Sequence, residues 1–117
     1  MIGRIRDSAT FDRLSRDGRT VRHGVLEIRY VLDGGSAAPR VGFAVGRRVG
    51  TAVVRNRLRR RLRAVMHQLS DPGRQPSFPG GAYLIRARPG AADVAFSRLV
   101  RDAEQALGRI CARQDRT

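Results

Sequence analysis

The chain has no lysine and no tryptophan, a single cysteine, and no acidic residue anywhere between Gly34 and Ser70. Each absence excludes something. One cysteine, Cys111, leaves no partner for an internal disulfide and suits a reducing compartment. Two Tyr, four Phe and no Trp are too few for extensive stacking of rings on bases. No apolar run approaches the length that spans a bilayer, and the opening Met1 to Asp7 turns polar too soon for a secretory signal. A soluble cytoplasmic protein with no membrane association is expected. Metal chemistry is equally unsupported. His23 and His67 lie far apart in sequence, and no Cys/His or Asp/Glu cluster has ligand spacing. The stretch Gly46 to Gly50 reads Gly-Arg-Arg-Val-Gly and lacks the Gly-Lys-Ser/Thr ending of a phosphate loop. His67 reads as a solvated helix residue. The expectation is a protein with no catalytic residue, no metal site and no bound cofactor of its own.

What is present in quantity is arginine. All 24 basic residues of the 117 are Arg, against 10 acids, for a net charge of +14 and a pI near 11.9. Six of them fall in the nine residues from Arg55 to Arg63. On a helix Arg55 faces Arg59, Arg59 faces Arg63, and Arg57 faces Arg61. Like charges at this spacing cost about 0.2–0.5 kcal/mol per pair, so the three together carry roughly 1 kcal/mol of self-repulsion. A bound polyanion converts that penalty into attraction, and guanidinium is the group that grips phosphate with two parallel hydrogen bonds. Nucleic acid is the first candidate partner. A small ribosomal or other structural RNA-binding protein satisfies the same composition.

The periodicity predicts one domain over residues 1–117. Ser8–Arg16 reads as a helix, with Ser8 as N-cap, Phe11 and Leu14 on one face, and Gly18 closing it. Phe11 there is either a core residue or a platform for an unpaired base. Val21–Leu32 alternates with period two, placing Leu26, Ile28, Tyr30 and Leu32 on one side and Glu27 and Arg29 on the other. A loose turn through Asp33, Gly34 and Gly35 leads toward a strand at Val41–Val45. Its bulky face is Val41, Phe43 and Val45, and Gly42, Ala44 and Gly46 leave the other face almost bare, either under a helix or as an open floor for an extended polymer. Thr51–Leu69 is the strongest helix, striped by Val54, Leu58, Leu62, Val65 and Leu69. Arg55 and Arg61 flank that stripe, their stems over the core and their heads in solvent. After a Pro- and Gly-rich loop from Asp71 to Gly81 come a strand at Ala82–Ala87 and a last helix from about Ala95, with Phe96, Leu99, Val100, Ala103, Leu107 and Ile110 inward. The fold class is α+β: a central sheet of about four strands with three helices, in the order α-β-β-α-β-α, or α-β-β-β-α-β-α where Val21–Leu32 divides in two.

The run from Arg40 to Arg63, R-V-G-F-A-V-G-R-R-V-G-T-A-V-V-R-N-R-L-R-R-R-L-R, closely resembles the signature of the bacterial ribonuclease P protein subunit. Phe11 and Gly18 match that family's first helix and its stop, and Ala87-Arg88-Pro89-Gly90 matches its C-terminal third. The resemblance implies an accessory subunit of an RNA-based endonuclease that matures tRNA 5′ ends. Its partners would be the catalytic RNA subunit and precursor tRNA, with Mg²⁺ on the RNA and no protein partner required. Carried over residue by residue, RNA binding falls to Arg47, Arg48, Arg55, Asn56, Arg57, Arg59, Arg60 and Arg63. The same resemblance implies a cleft for the single-stranded 5′ leader, with Phe11 among its contacts, and a left-handed crossover in the sheet. Ser15 stands where many members carry a second aromatic, and Arg29 where a Tyr is common, which would shift leader contact from stacking toward charge.

Overall fold

The computed structural model describes residues 2–34, 38–71, 73–74 and 78–115. A short strand β1 (Gly3–Arg4) precedes helix α1 (Ser8–Asp17). The N-cap of α1 is Asp7 rather than Ser8. The Asp7 carboxylate accepts hydrogen bonds from the Thr10 amide at 3.1 Å and its hydroxyl at 2.7 Å, so Ser8 falls inside the first turn. Those bonds, the hydroxyl's foremost, hold the Asp7 carboxyl below the usual carboxylate range. Gly18 closes the helix by donating to the Leu14 carbonyl at 3.0 Å. Space, not handedness, demands glycine there: its φ is −70°, but a Cβ would lie 2.2 Å from the Leu14 oxygen.

The Val21–Leu32 region divides into β2 (Arg19–His23) and β3 (Leu26–Leu32), paired antiparallel. Between them Gly24 adopts φ +58°, and a Cβ on it would stand 2.1 Å from the buried Asp102 carboxylate. Asp102 accepts the Val25 amide at 3.1 Å, which ties the hairpin to the last helix. Next come β4 (Arg40–Ala44), a single 3₁₀ turn (Arg47–Val49), α2 (Ala52–Leu69), β5 (Gly81–Ala87), a second 3₁₀ turn (Ala91–Asp93) and α3 (Phe96–Asp115). Thr51 caps α2 by accepting the Val54 amide at 3.4 Å. The expected turn at Gly35 and much of the Pro-rich loop (Pro72 and residues 75–77) lie outside the described residues.

The sheet has five strands in the order β1-β4-β5-β3-β2, not four. The additional strand, β1, is two residues long and joins β4 in parallel through Gly3↔Arg40 and Arg4↔Val41. Two residues cannot display an alternation, so periodicity has nothing to detect. β5 inserts between β3 and β4, antiparallel to the first and parallel to the second. β3 and β4, consecutive in sequence, are therefore separated in space. β4 and β5 are joined through α2, the crossover unit to which the family resemblance assigns a left hand.

Three layers result. On the inner face, Val21, Leu26, Ile28, Tyr30, Val41, Tyr83 and Ile85 pack against Leu58, Leu62, Val65, Met66 and Leu69 of α2 and Leu99, Ala103, Ala106 and Ile110 of α3. Met66 joins the expected stripe, and Val54, in the first turn of α2, is only partly covered. Phe96, expected inward, is exposed at the start of α3, while the small Ala106 takes a core position. On the outer face a smaller cluster of Ile5, Leu14 and Ala82, flanked by Val31 and Leu84, docks α1.

Candidate nucleic-acid interface

The outer face of the sheet is best read as rows running across the strands. The register aligns Val31, Ala82 and Arg40 in one row, then Thr20, Arg29, Leu84 and Gly42, then Arg22, Glu27, Arg86 and Ala44. α1 covers the first row, and burial fades along β5 from Ala82 through Leu84 to an exposed Arg86. Beyond the helix lies a groove of about 500 Å³ lined by Phe11, Leu14, Ser15, Thr20, Arg22, Glu27, Arg29, Leu84 and Arg86. All three residues assigned from sequence to a leader cleft, Phe11, Ser15 and Arg29, border it.

Their roles within it differ. Phe11 is 42 % exposed, yet its ring edge lies 3.6 Å from where a Cβ on Gly42 would sit. The bare face of β4 is thus partly under a helix, at Gly42, and partly open, at Ala44. Arg29 is committed to the scaffold. Its Nε donates to the Leu14 carbonyl at 2.6 Å, Nη2 to the Ser15 carbonyl at 2.9 Å and Nη1 to the Thr20 hydroxyl at 3.1 Å. A guanidinium on the last carbonyls of α1 gives Ser15 a donor, gives Leu14 a second one beside the Gly18 amide, and complements the negative end of the helix. Arg29 therefore fixes the wall of the groove. The charged heads that remain toward the open side are Arg22 and Arg86, which share the Glu27 carboxylate.

The arginines from Arg47 to Arg63 do not form one patch. Arg47 and Arg48, on the 3₁₀ turn, and Arg59 of α2 surround a concavity of about 550 Å³ closed by Phe43, Ala44, Arg86 and Pro89. Arg59 is held there by the Asn56 side-chain oxygen at 2.8 Å and by the Val45 carbonyl at 3.5 Å. Gly50 permits the tight passage from turn to helix, since a Cβ would meet Val54 at 2.8 Å. Arg63 lies elsewhere, 5.7 Å above the Phe43 ring, in a groove of about 300 Å³ shared with Arg4, Arg6 and His67. Asn56, Arg57 and Arg60 are exposed along α2. Arg55 and Arg61 flank the core, as their positions beside the stripe predict, but their heads are not left in solvent: the Arg55 Nε is buried, and Arg61 donates to the Val94 carbonyl at 3.0 Å. Among the described residues no carboxylate pairs with any arginine from Arg47 to Arg63. Among them also no group of three or more His, Cys, Asp or Glu gathers around a point where a metal could sit.

The family model described as ribonuclease P matches residues 3–111. This chain belongs to that family. A ribonuclease P protein component of Thermobifida fusca is 39% identical over 115 residues, covering 92% of this chain and 75% of its own length. One from a Nocardioides species is 39% identical over 112 residues, covering 93% and 92%. The fold agrees with solved ribonuclease P proteins of Staphylococcus aureus (TM-score 0.73, 22% identity, 92% of this chain and 94% of that one) and Thermotoga maritima (TM-score 0.75, 22% identity, 91% and 96%). As a ribonuclease P protein component, the chain takes part in tRNA processing by a ribonucleoprotein.

Sequence reasoning missed Arg22, Glu27 and Arg86 in the groove, and Arg4, Arg6 and His67 beside Arg63. Glu27 lies on a strand face that alternation identifies and Arg86 on a strand the sequence predicts, but nothing local says which strand lies next to which. Arg4 and Arg6 carry no signal beyond charge.

Proposed function

We propose that this chain is the RNA-binding, non-catalytic subunit of a ribonuclease P whose RNA subunit cleaves precursor tRNA. The observation that carries this reading is a set of arginines without carboxylate partners lying beside a groove floored by the sheet. In this division Arg47, Arg48, Arg55, Asn56, Arg57, Arg59, Arg60 and Arg63 bind the catalytic RNA. The groove of Phe11, Ser15 and Arg29 receives the 5′ leader of the substrate. Phe11 supplies a ring face to an unpaired base, Ser15 a small wall, and Arg29 the rigid edge that keeps α1 at the right distance. Residues 1–117 act as one RNA-binding domain in the cytoplasm. That no helix among the described residues is long and apolar enough to cross a membrane fits this location. The arginine surface offers no carboxylate to hold a cation, so the Mg²⁺ of the reaction is assigned to the RNA subunit. The protein lowers its electrostatic cost of folding and substrate docking by neutralising phosphates.

The test is cleavage of precursor tRNA by the RNA subunit at low Mg²⁺, with and without this protein. Stimulation by the protein is expected, and cutting by the purified polypeptide alone would overturn the proposal. If six arginines reach phosphates, the logarithm of the binding constant falls with that of salt at a slope of roughly −4 to −5. A slope near −1 would remove the arginine surface from the binding reaction.

A further inference from the structure

The row Arg22–Glu27–Arg86 has a chemistry that a stabilising ion pair does not require. Glu27 sits directly opposite Arg22 on β2 and directly opposite Arg86 on β5, so one carboxylate lies between two guanidinium groups across three strands. Its oxygens divide between them: Oε1 takes the Arg22 Nε, and Oε2 lies 3.5 Å from the Arg86 Nη1. The carboxylate is the sunken member, with 14% of its side chain exposed against 69% for Arg22 and 59% for Arg86. Two forks thus reach out of the groove floor over a single recessed anion. Arg86 also lines the neighbouring concavity with Arg47, Arg48 and Arg59. It is the residue common to both depressions, and a strand leaving the groove toward that concavity crosses it.

We infer that Arg22 and Arg86 form a phosphate site on the floor of the groove, with Glu27 standing in for the phosphate until a single-stranded RNA takes the two guanidinium groups over. Carboxylate and phosphate are interchangeable partners for an arginine fork. Both guanidinium groups are more than half exposed and the Arg86 contact is long at 3.5 Å, so they can turn outward to a phosphate, and the strand's other contacts, on the Phe11 ring and the neighbouring arginines, add to the phosphate's side. Glu27 then acts as a brake. It keeps the groove from holding anions indiscriminately, and it makes affinity depend on a ligand that reaches Phe11 and Arg86 together. The inference rests on the groove being the place where leader RNA lies.

The experiment uses the full chain and a short, fluorescently labelled oligouridylate, followed by anisotropy across a salt series, with thermal melts of every variant. Glu27→Gln keeps the shape and removes the charge. It is expected to tighten binding by about threefold to tenfold at low salt and to steepen the salt slope by about 0.7, the increment of one further phosphate on a single strand. Arg86→Ala is expected to weaken binding and make the slope shallower by a similar amount, and combining it with Glu27→Gln should shrink the gain. Glu27→Gln binding equally or more weakly, while Phe11→Ala still weakens binding, would overturn the stand-in and leave the groove reading intact. No change in either variant would overturn both. Should Glu27→Gln fail to fold, unchanged affinity of a folded Arg86→Ala protein would overturn the site by itself.

Discussion

The two faces of the one sheet follow opposite rules. On the inner face β2, β3, β4 and β5 contribute bulky apolar side chains, two long helices cover them, and Leu58, Leu62, Tyr83 and Ile85 are almost wholly removed from water. The outer face is covered by a single ten-residue helix, and its rows change from Val31 and Ala82 through Arg29 and Leu84 to Arg22, Glu27 and Arg86. Cohesion is concentrated on one side. The other side is left thin enough to keep a groove, held open by hydrogen bonds where the inner face relies on apolar area. A protein this small can devote half of its sheet to binding because the other half suffices as a core.

Mutations on the two faces should therefore differ in kind. The largest stability loss is expected from Leu58→Ala, a buried truncation on the inner face costing about 2–5 kcal/mol in denaturant unfolding, with RNA affinity of the folded fraction unchanged. On the outer face Arg29→Ala removes the Ser15 carbonyl's guanidinium donor and leaves the Leu14 carbonyl with the Gly18 amide alone. A cost of about 1.5–3 kcal/mol is expected, with faster amide exchange confined to α1. Exchange spread evenly over the sheet would contradict the view of Arg29 as the local clamp of the groove. Phe11→Ala should cost less stability than either, since the ring is half in solvent, and it should weaken binding of leader-bearing precursor tRNA more than of mature tRNA. Equal losses would return Phe11 to the core and erase the contrast between the faces. Arg60→Ala and Arg63→Ala should leave the fold intact, with no large drop in melting temperature, and each lower the salt slope of catalytic-RNA binding by about 0.7–0.9.

The smallest effect is a pH one. Because the folded-state pKa of Asp7 is lowered, its contribution is present above the unfolded value and lost as pH falls through the folded one. The stability gap between the wild-type chain and Asp7→Asn should close on acidification below the usual carboxylate range. A gap that widened there would reverse the sign and exclude Asp7 as a charged cap.

Much of this was legible in the order of residues. The spacing of Leu58, Leu62, Val65 and Leu69 defines the buried side of α2, and the alternation of Leu26, Ile28 and Tyr30 defines the inner face of β3, because each period reports which way successive side chains point. The run from Arg40 to Arg63 was sufficient for the family. At the caps, sequence was less decisive: Asp7 and Ser8 are both good N-caps, and Thr10 selects the former by donating to it twice. Ala106 and Met66 show the same limit in the core, where the neighbours of a helix, and not its own pattern, determine how wide its buried stripe becomes.

What the chain determined on its own was therefore the elements, their faces and the sign of the charge, all of which depend on residues within one or two turns of each other. Tertiary structure alone decided that β5 lies between β3 and β4, that β1 extends the far edge, and that Arg86 and Glu27 meet Arg22 in a single row. These are pairings between segments distant along the chain. Backbone hydrogen bonds carry no record of which partner they will find, so the groove and its charges exist only once the strands are in register.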